Sequence, residues 1–176
     1  MFGKKNIYKY CHRPVGLPAF LFPMGCMKAN KTYTVERNVE FCSNCEYDLK
    51  NEDQYDWNKL FGVCFGLTGI HKNSIRFGWR WNIEKGAVEI CSIVYDHGIP
   101  SRKYLNSWDM ELEAEANFKI DFQISEYGLL CYEFYINDEI VDNGTITDIP
   151  SKHYYGCGFY FGGNKRAPHK VSAYIA

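Results

Sequence analysis

The sequence lacks the features of membrane-spanning and nucleic-acid-binding proteins. No apolar run approaches the roughly 20 residues that a helix needs to cross a bilayer. Among its 176 residues, 20 Lys or Arg face 21 Asp or Glu, so the net charge is −1 with His neutral. Phosphate-binding proteins normally show a clear basic excess. We therefore expect partners other than membranes and nucleic acids.

Two common nucleotide and hydrolase signatures are also missing, since there is no P-loop and no G-x-S-x-G elbow. A secretion signal is weakly suggested by Lys4 and Lys5 ahead of the apolar segment 15–27. Pro18 and Pro23 interrupt that segment, whereas a signal core is normally a continuous apolar run. We therefore expect cytoplasmic synthesis without a cleaved signal.

Aromatic and apolar residues are abundant. Aromatic side chains make up 17% of the chain and hydrophobic ones 46%, which is enough for one compact domain with a real core. Aromatic residues favour pleated, half-buried surfaces over helices. The composition therefore predicts an all-β protein.

Alternation of apolar and polar residues predicts the strands. Between residues 74 and 82, Ile75, Phe77, Trp79 and Trp81 share one face, which leaves arginines on a polar face opposite a core. Similar runs follow at 118–124 and 130–136, and two-residue turns are predicted at 137–138 and 143–144. About ten such strands predict a two-sheet antiparallel β-sandwich.

The first thirty residues have no clean period. We expect residues 1–30 to form an arm that packs on the sandwich or on a neighbouring subunit, and residues 31–176 to form the β-sandwich domain. Because the arm could pack on a neighbouring subunit, a homo-oligomer is one possible assembly.

The 8 cysteines are spread along a chain that does not need disulfides for stability. Cys42 and Cys45 have the spacing of a zinc-binding pair, but a second pair at suitable spacing is missing. Ordinary thiols in a reducing compartment explain them better. We expect no cofactor, and neither zinc nor calcium is supported by a complete ligand set.

Three carboxylates follow one another at every second position. Glu111, Glu113 and Glu115 would share one face of a strand, and paired carboxylates are what glycoside hydrolysis requires. The spacing resembles the E-x-D-x-E strand of laminarinase-like jelly-roll glycosidases, with Glu113 in place of the central Asp. A solvated surface segment explains the same run.

Several residues have side chains that can bind a sugar or an anion. Arginine forks bind oxyanions and aromatic rings stack on sugars, while glycines in 159–169 permit a tight loop with a cationic rim. The candidate ligand-binding residues are His71, Arg76, Arg80, Tyr95, Trp108, Asn164, Arg166 and His169. Cross-strand pairing with Glu89, Asp121 or Glu133 is the structural alternative for the arginines.

Two resemblances can be named. The strand order, with YINDEIV (135–141), resembles a concanavalin-like, laminin-G-like jelly roll. The segments DWNKLFG (56–62), HKNSIRFGWR (71–80) and YFGGNKRAPH (160–169) resemble those of an uncharacterised β-sandwich family of gut Bacteroidetes and their tailed phages. That resemblance implies a context in which glycan binding and virion surface roles are both common, and it carries no catalytic residue.

The sequence thus predicts a non-catalytic, lectin-like module that recognises a glycan or cell-surface ligand. One alternative is a virion structural or decoration protein that acts through its arm and virion neighbours. The other alternative is a jelly-roll glycoside hydrolase that uses the three glutamates.

Overall fold

The computed structural model describes residues 6–10, 21–67, 69–105, 108–147, 149, 151–162 and 167–176, with the side chains of 6–10 left out. The described strands form two sheets of six. In spatial order, the first sheet contains β1 (Asn6–Tyr10), β12 (Val171–Ile175), β3 (Tyr33–Phe41), β8 (Glu115–Ile124), β9 (Leu130–Ile136) and β10 (Glu139–Ile146). The second contains β2 (Phe22–Cys26), β11 (His153–Cys157), β4 (Asn58–Phe65), β5 (Ser74–Asn82), β6 (Ala87–Asp96) and β7 (Ile99–Tyr104).

Every paired strand in both sheets runs antiparallel to its neighbour. Short 3-10 helices at Ser43–Cys45, Glu52–Tyr55 and Gly69–His71 lie between strands. The predicted all-β, two-sheet antiparallel sandwich is therefore confirmed.

The two predicted turns have different outcomes. Asn137 and Asp138 both have positive φ, 49° and 66°, and they join β9 to β10 as expected of a two-residue hairpin. Asn143 and Gly144 instead lie inside β10, where they pair with Glu133 and Tyr132. The second prediction was wrong because cross-strand hydrogen bonds in the ladder overrode the local turn preference.

The core lies between the sheets and is rich in aromatic rings. Phe77 of β5 crosses the gap and makes edge contacts with Phe118 and Phe134 of the first sheet, at centroid distances of 5.0 and 4.9 Å. Trp79 stacks on Phe159 at 5.3 Å with the rings 7° apart. The inward face predicted for β5 is confirmed, since these side chains are buried.

Parts of the N-terminal segment form edge strands in both sheets. Residues 6–10 pair with β12 at the edge of the first sheet, and residues 22–26 pair with β11 at the edge of the second. The division at residue 30, and any contact of the arm with a neighbour, stay predictions. Among the described residues, no helix has the length and apolar character to span a membrane.

Candidate functional site

The outward side of the second sheet carries the cationic and aromatic side chains. Since side chains alternate along a strand, the register that sends Phe77 into the core sends Arg76 to the opposite side. We call this side the outer face. It contains Lys59, Gly62, Cys64, Arg76, Gly78, Arg80, Cys91, Ile93, Tyr95, Arg102, Tyr104, Tyr155 and Cys157.

Arg76 lies at the centre of the outer face and is completely buried. Its Nη1 donates a hydrogen bond to the Tyr160 hydroxyl over 3.2 Å, and its guanidinium lies 5.3 Å from the ring centroid of Tyr95. Its Nε and Nη2 atoms have no hydrogen-bond partner among the described residues. The sequence placed this arginine on a polar face opposite the core, and the structure shows that Arg76 is nevertheless fully buried there.

An unpaired buried guanidinium is energetically costly. Desolvating a charge costs several kcal/mol unless a partner of opposite charge and hydrogen bonds offset the loss of water. Nε and Nη2 lie along one edge of the guanidinium plane, which is a side on which a carboxylate binds in a fork. The edge of Arg76 that could receive a carboxylate therefore has no hydrogen-bond partner among the described residues.

Two glycines allow the side chains of the outer face to pack this closely. A Cβ added to Gly62 would lie 2.6 Å from the Arg76 Cα and 2.3 Å from the carbonyl oxygen of Ile75. A Cβ on Gly78 would lie 2.5 Å from the Ile93 Cδ1. Both positions therefore require a residue without a side chain.

Lys59 adds a second cation of unusual basicity. Burial, together with the nearby charges of Arg76 and Arg102, lowers its pKa from 10.5 to about 8. Its ammonium donates a hydrogen bond to the carbonyl oxygen of Trp57 over 2.6 Å and lies 5.9 Å from the centroid of the Tyr160 ring. Lys59, Arg76 and Tyr160 therefore form one cluster at the centre of the outer face.

Aromatic rings flank the cationic centre. Trp57 and Tyr104 lie 6.0 Å apart, and the Arg80 guanidinium lies 4.2 Å from the Trp57 ring. Unlike Arg76, Arg80 has a charge partner, because its Nε donates to Glu89 over 2.6 Å, and its Nη1 donates to the carbonyl oxygen of Tyr55 over 2.8 Å. Charge pairing therefore stabilises this part of the outer face.

The lowered pKa of the Glu89 carboxyl reflects its pairing with Arg80. Burial raises the pKa of its carboxyl, but hydrogen bonds from Asn82, Arg80 and Lys85 outweigh burial and bring it to about 2. The structural alternative for Arg80, cross-strand pairing with Glu89, is thus what the structure shows.

The predicted ligand residues do not come together in one place. His71, Arg76, Arg80 and Tyr95 belong to the outer face or its end, where the His71 and Tyr95 rings meet edge to face at 5.6 Å. Trp108 packs against the core cluster instead. His169 contacts the carbonyl oxygen of Asn44 through Nε2 at 3.0 Å. Asn164 and Arg166 lie outside the described residues.

A depression of the surface lies beside His169. This cavity of about 540 Å³ is lined by His169, Asn44, Trp81 and Ile83, among others. In the described part of its wall, no buried charged side chain lacks a partner. It is the weaker candidate for a binding site.

The three glutamates do not form the predicted carboxylate strand. Only Glu115 lies in a strand, as the first residue of β8. Glu113 has a positive φ of 65°, and its backbone N–H donates to the carbonyl of Phe41. The alternating geometry on which a hydrolase site depended is therefore absent from 111–115, because a turn occupies most of the segment.

Cys42 and Cys45 show no metal-site geometry. The Cys45 thiol is buried and donates to the carbonyl oxygen of Ser172 over 3.1 Å, and burial raises its pKa to about 12. Across the described ranges, no group of three or more His, Cys, Asp or Glu side chains is placed to hold a metal ion.

Sequence reasoning missed the residues that complete the Arg76 cluster. The sequence held one sign of this cluster. Lys59 is the single charged residue in the strand NKLFGVCF, whose positions are all buried. Its backbone pairs with Tyr160 through hydrogen bonds of 3.0 Å in both directions. That contact joins positions far apart in the chain, so no local pattern revealed it.

The fold is shared with alginate lyases of known structure. The alginate lyase Aly36B superposes with a TM-score of 0.66 at 13% identity, over 96% of this chain and 77% of that chain. A double mutant of Aly36B in complex with alginate trisaccharide gives 0.63 at 13%, over 88% and 70%. An alginate lyase from Pseudomonas aeruginosa gives 0.55 at 12%, over 82% and 61%.

At such low identity the likeness establishes the jelly-roll sandwich alone, as the strand pattern predicted. No protein-family profile and no curated protein matches the sequence. The predicted resemblance to proteins of gut Bacteroidetes and their phages, and the virion neighbours that it implied, receive no support from these findings.

Proposed function

We propose that the protein binds a carboxylate-bearing glycan on the outer face of its second sheet. The observation that carries the proposal is the buried Arg76 guanidinium, two of whose N–H groups have no partner among the described residues. A uronate carboxylate would accept both hydrogen bonds and would offset the cost of the buried charge. Solved structures of the same fold hold alginate oligosaccharides, and their fold supports this choice of ligand class.

The surroundings of Arg76 suit a sugar as well as its acid group. Lys59 and Arg102 add positive charge near the carboxylate position. Trp57 and Tyr104 present aromatic surface at the flank, where a sugar ring stacks through its apolar C–H face. An acidic residue of the glycan would thus bind at the centre and its neighbour at the aromatic flank. Binding alone, without cleavage, is the function we put first.

Eliminative cleavage of the same glycan is a second candidate, favoured by one observation. The Lys59 amine has a pKa of about 8 and lies in one cluster with the Tyr160 hydroxyl and Arg76. In an elimination, neutral Lys59 would take the proton next to the uronate carboxylate while Arg76 neutralises the developing charge. The C–H electrons would form the new C=C bond, the glycosidic C–O bond would break, and Tyr160 would protonate the departing oxygen.

One panel experiment separates these functions. The full chain is tested by calorimetry against oligosaccharides of mannuronate, guluronate and galacturonate, with neutral glucose and mannose oligomers of equal length as controls. We expect retention of at least one uronate and of no neutral glycan, because only a carboxylate pairs with Arg76. Ultraviolet absorbance of the new double bond, recorded on the same samples, detects elimination. Equal binding of neutral and uronate oligomers would contradict the proposal.

Affinity for the uronate is expected to fall as pH rises through the pKa of Lys59. Below a pKa of about 8 the ammonium is charged and attracts the carboxylate, and above it the amine is neutral. Between pH values of about 6.5 and 9.5 we expect roughly a tenfold loss, which corresponds to about 1.4 kcal/mol.

The pH dependence has a matched control. Lys59→Met removes the titrating group and should flatten the pH profile. Lys119→Met alters a lysine whose ammonium also lies over a tyrosine ring, 4.0 Å from the Tyr135 centroid, but on the other sheet. The Lys119 variant should keep the wild-type slope. A Lys59→Met protein with the full slope would show that another group titrates.

A further inference from the structure

We propose that Arg102 is a second acid-binding position of the outer face, and that the glycan bound there carries uronates that alternate with neutral sugars. This assignment rests on the proposed function, because Arg76 supplies the first acid-binding position. It adds the spacing of the acid groups and the direction in which the glycan lies on the sheet.

Strand register places Arg76 and Arg102 in one row of the outer face. Arg76 of β5 pairs with Ile93 of β6, and Ile93 pairs with Arg102 of β7. Residues directly opposite each other on antiparallel strands point to the same side of the sheet. Neighbouring strands lie about 4.8 Å apart, so the backbones of the two arginines are roughly 10 Å apart. An extended glycan covers a comparable distance in about two sugar residues.

Arg102 is accessible to a ligand. It lies in β7, the edge strand of the second sheet, and its side chain is exposed. Within the part of the chain that the structure describes, its guanidinium makes no ion pair and no side-chain hydrogen bond. A guanidinium binds a carboxylate through two parallel hydrogen bonds. Arg102 can therefore receive an acid group directly from solvent.

The charges around Arg76 favour a ligand that crosses the strands. Along β5, the next outward cation is Arg80, and the carboxylate of Glu89 already pairs with it over 2.6 Å. In the other direction along the strand, the next row of the outer face is uncharged and contains Ser74, Tyr95 and Pro100. A second acid group on the ligand is therefore attracted toward Arg102.

The position between the two arginines suits a sugar without an acid group. Ile93 occupies this position and is fully buried, and Trp57 packs against the small cluster to which Ile93 belongs. Apolar and aromatic surface attracts the C–H face of a sugar ring, but it offers a carboxylate no hydrogen-bond donor. A neutral sugar beside Trp57 would therefore join the two uronates.

Two trisaccharides built from the same two sugars test the spacing. Glucuronate–N-acetylglucosamine–glucuronate has two acid groups, and N-acetylglucosamine–glucuronate–N-acetylglucosamine has one. Calorimetry with the full chain should show at least fivefold tighter binding of the first, because only its second carboxylate reaches Arg102. Equal affinities for the two trisaccharides would overturn the second acid-binding position.

Two neighbouring substitutions make the result specific to Arg102. Arg102→Met should reduce the difference between the trisaccharides to less than about twofold. Lys103→Met removes the same charge one residue away, but the Lys103 side chain pairs with Asp142 over 2.9 Å instead of pointing to the outer face. This control should keep the full difference. A difference that survives in Arg102→Met would place the second acid group elsewhere.

The pH of these titrations has to be fixed. The charge of Arg102 helps to lower the pKa of Lys59, so its removal also changes how Lys59 titrates. At a pH of about 6.5, which is below the Lys59 pKa of about 8, Lys59 is charged in the wild type and in both variants. Affinity differences at this pH therefore report on Arg102 itself.

A trisaccharide of glucuronate alone tests the neutral middle position. It carries a third carboxylate on the middle sugar, and we expect it to bind no more than threefold tighter than glucuronate–N-acetylglucosamine–glucuronate. A larger gain would show that the middle acid group is also recognised and would overturn the alternation.

Failure of this assignment differs from failure of the proposed function. If the single-acid trisaccharide binds and the second acid adds nothing, Arg76 keeps its proposed role and Arg102 loses its own. If no uronate of any length binds, the proposed function fails and the role of Arg102 fails with it.

Discussion

Replacing Arg76 by methionine should abolish uronate binding without destabilising the fold. Methionine keeps an unbranched apolar stem but removes the guanidinium, which is the only buried charge whose donors the described residues leave unpaired. Loss of a desolvated charge pair at a binding site costs about 2–5 kcal/mol, so affinity should fall by roughly 30-fold or more. The free energy of unfolding should stay constant or rise by up to about 2 kcal/mol, because an unpaired buried charge is removed.

Calorimetric titration and urea unfolding measure these two effects separately. Arg37→Met is the matched control, since Arg37 lies in β3 of the first sheet and bonds through Nη1 to the Glu36 carbonyl. It should bind uronate as the wild type does. A large loss of stability in Arg76→Met would show that Arg76 is mainly structural, and unchanged affinity would place the ligand elsewhere.

Replacing Phe77 by alanine should cost about 3–5 kcal/mol of the free energy of unfolding, as is usual for a large aromatic residue lost from a core. Phe77 is fully buried and touches aromatic rings from three strands, namely Phe61, Phe118 and Phe134. These contacts join the two sheets, so the cavity cannot close without moving a whole sheet. Urea unfolding followed by tryptophan fluorescence gives the value.

Tyr127→Ala supplies the comparison for the same measurement. Tyr127 is an aromatic residue with 83% of its surface exposed, and surface substitutions of this kind usually change stability by less than about 0.5 kcal/mol. Equal losses in the two variants would contradict the assignment of the core to the space between the sheets.

Arg76 and Arg80 are the same residue type on the same strand, but we assign them different roles, ligand binding to Arg76 and stability to Arg80. Both point to the outer face of β5, four positions apart. Arg80 is paired with Glu89 on the neighbouring strand β6, whereas Arg76 has its hydroxyl partner Tyr160 and two donors without a partner among the described residues. A protein selected only for stability would pair or replace Arg76. The unpaired charge of Arg76 is the observation on which the proposed ligand role rests.

Much of the fold follows from local sequence. The period of two in 118–124 and 130–136 places their apolar residues inward, and the Asn137-Asp138 turn joins β9 to β10. Trp79 and Trp81 lie in the core as their alternation predicts. These features are predictable because each depends on neighbours within one strand or one turn.

Other features depend on contacts that the chain makes at long range. The Asn143-Gly144 pair has turn chemistry but continues β10, because its ladder partners on β9 hold it extended. The glutamates of 111–115 alternate like a strand but mostly form a turn. In both cases the local preference is worth less than the tertiary hydrogen bonds that replace it.

By itself, the sequence determined an all-β sandwich, the inward faces of its clearest strands and the presence of arginines on the opposite face of β5. Only the tertiary structure decided that Arg76 is buried on this face and that Lys59 and Tyr160 join it. The physical reason is that alternation reports which side of a strand a residue occupies. What covers that side, and which distant strand supplies its charge partners, depends on sheet order and on packing across the whole chain.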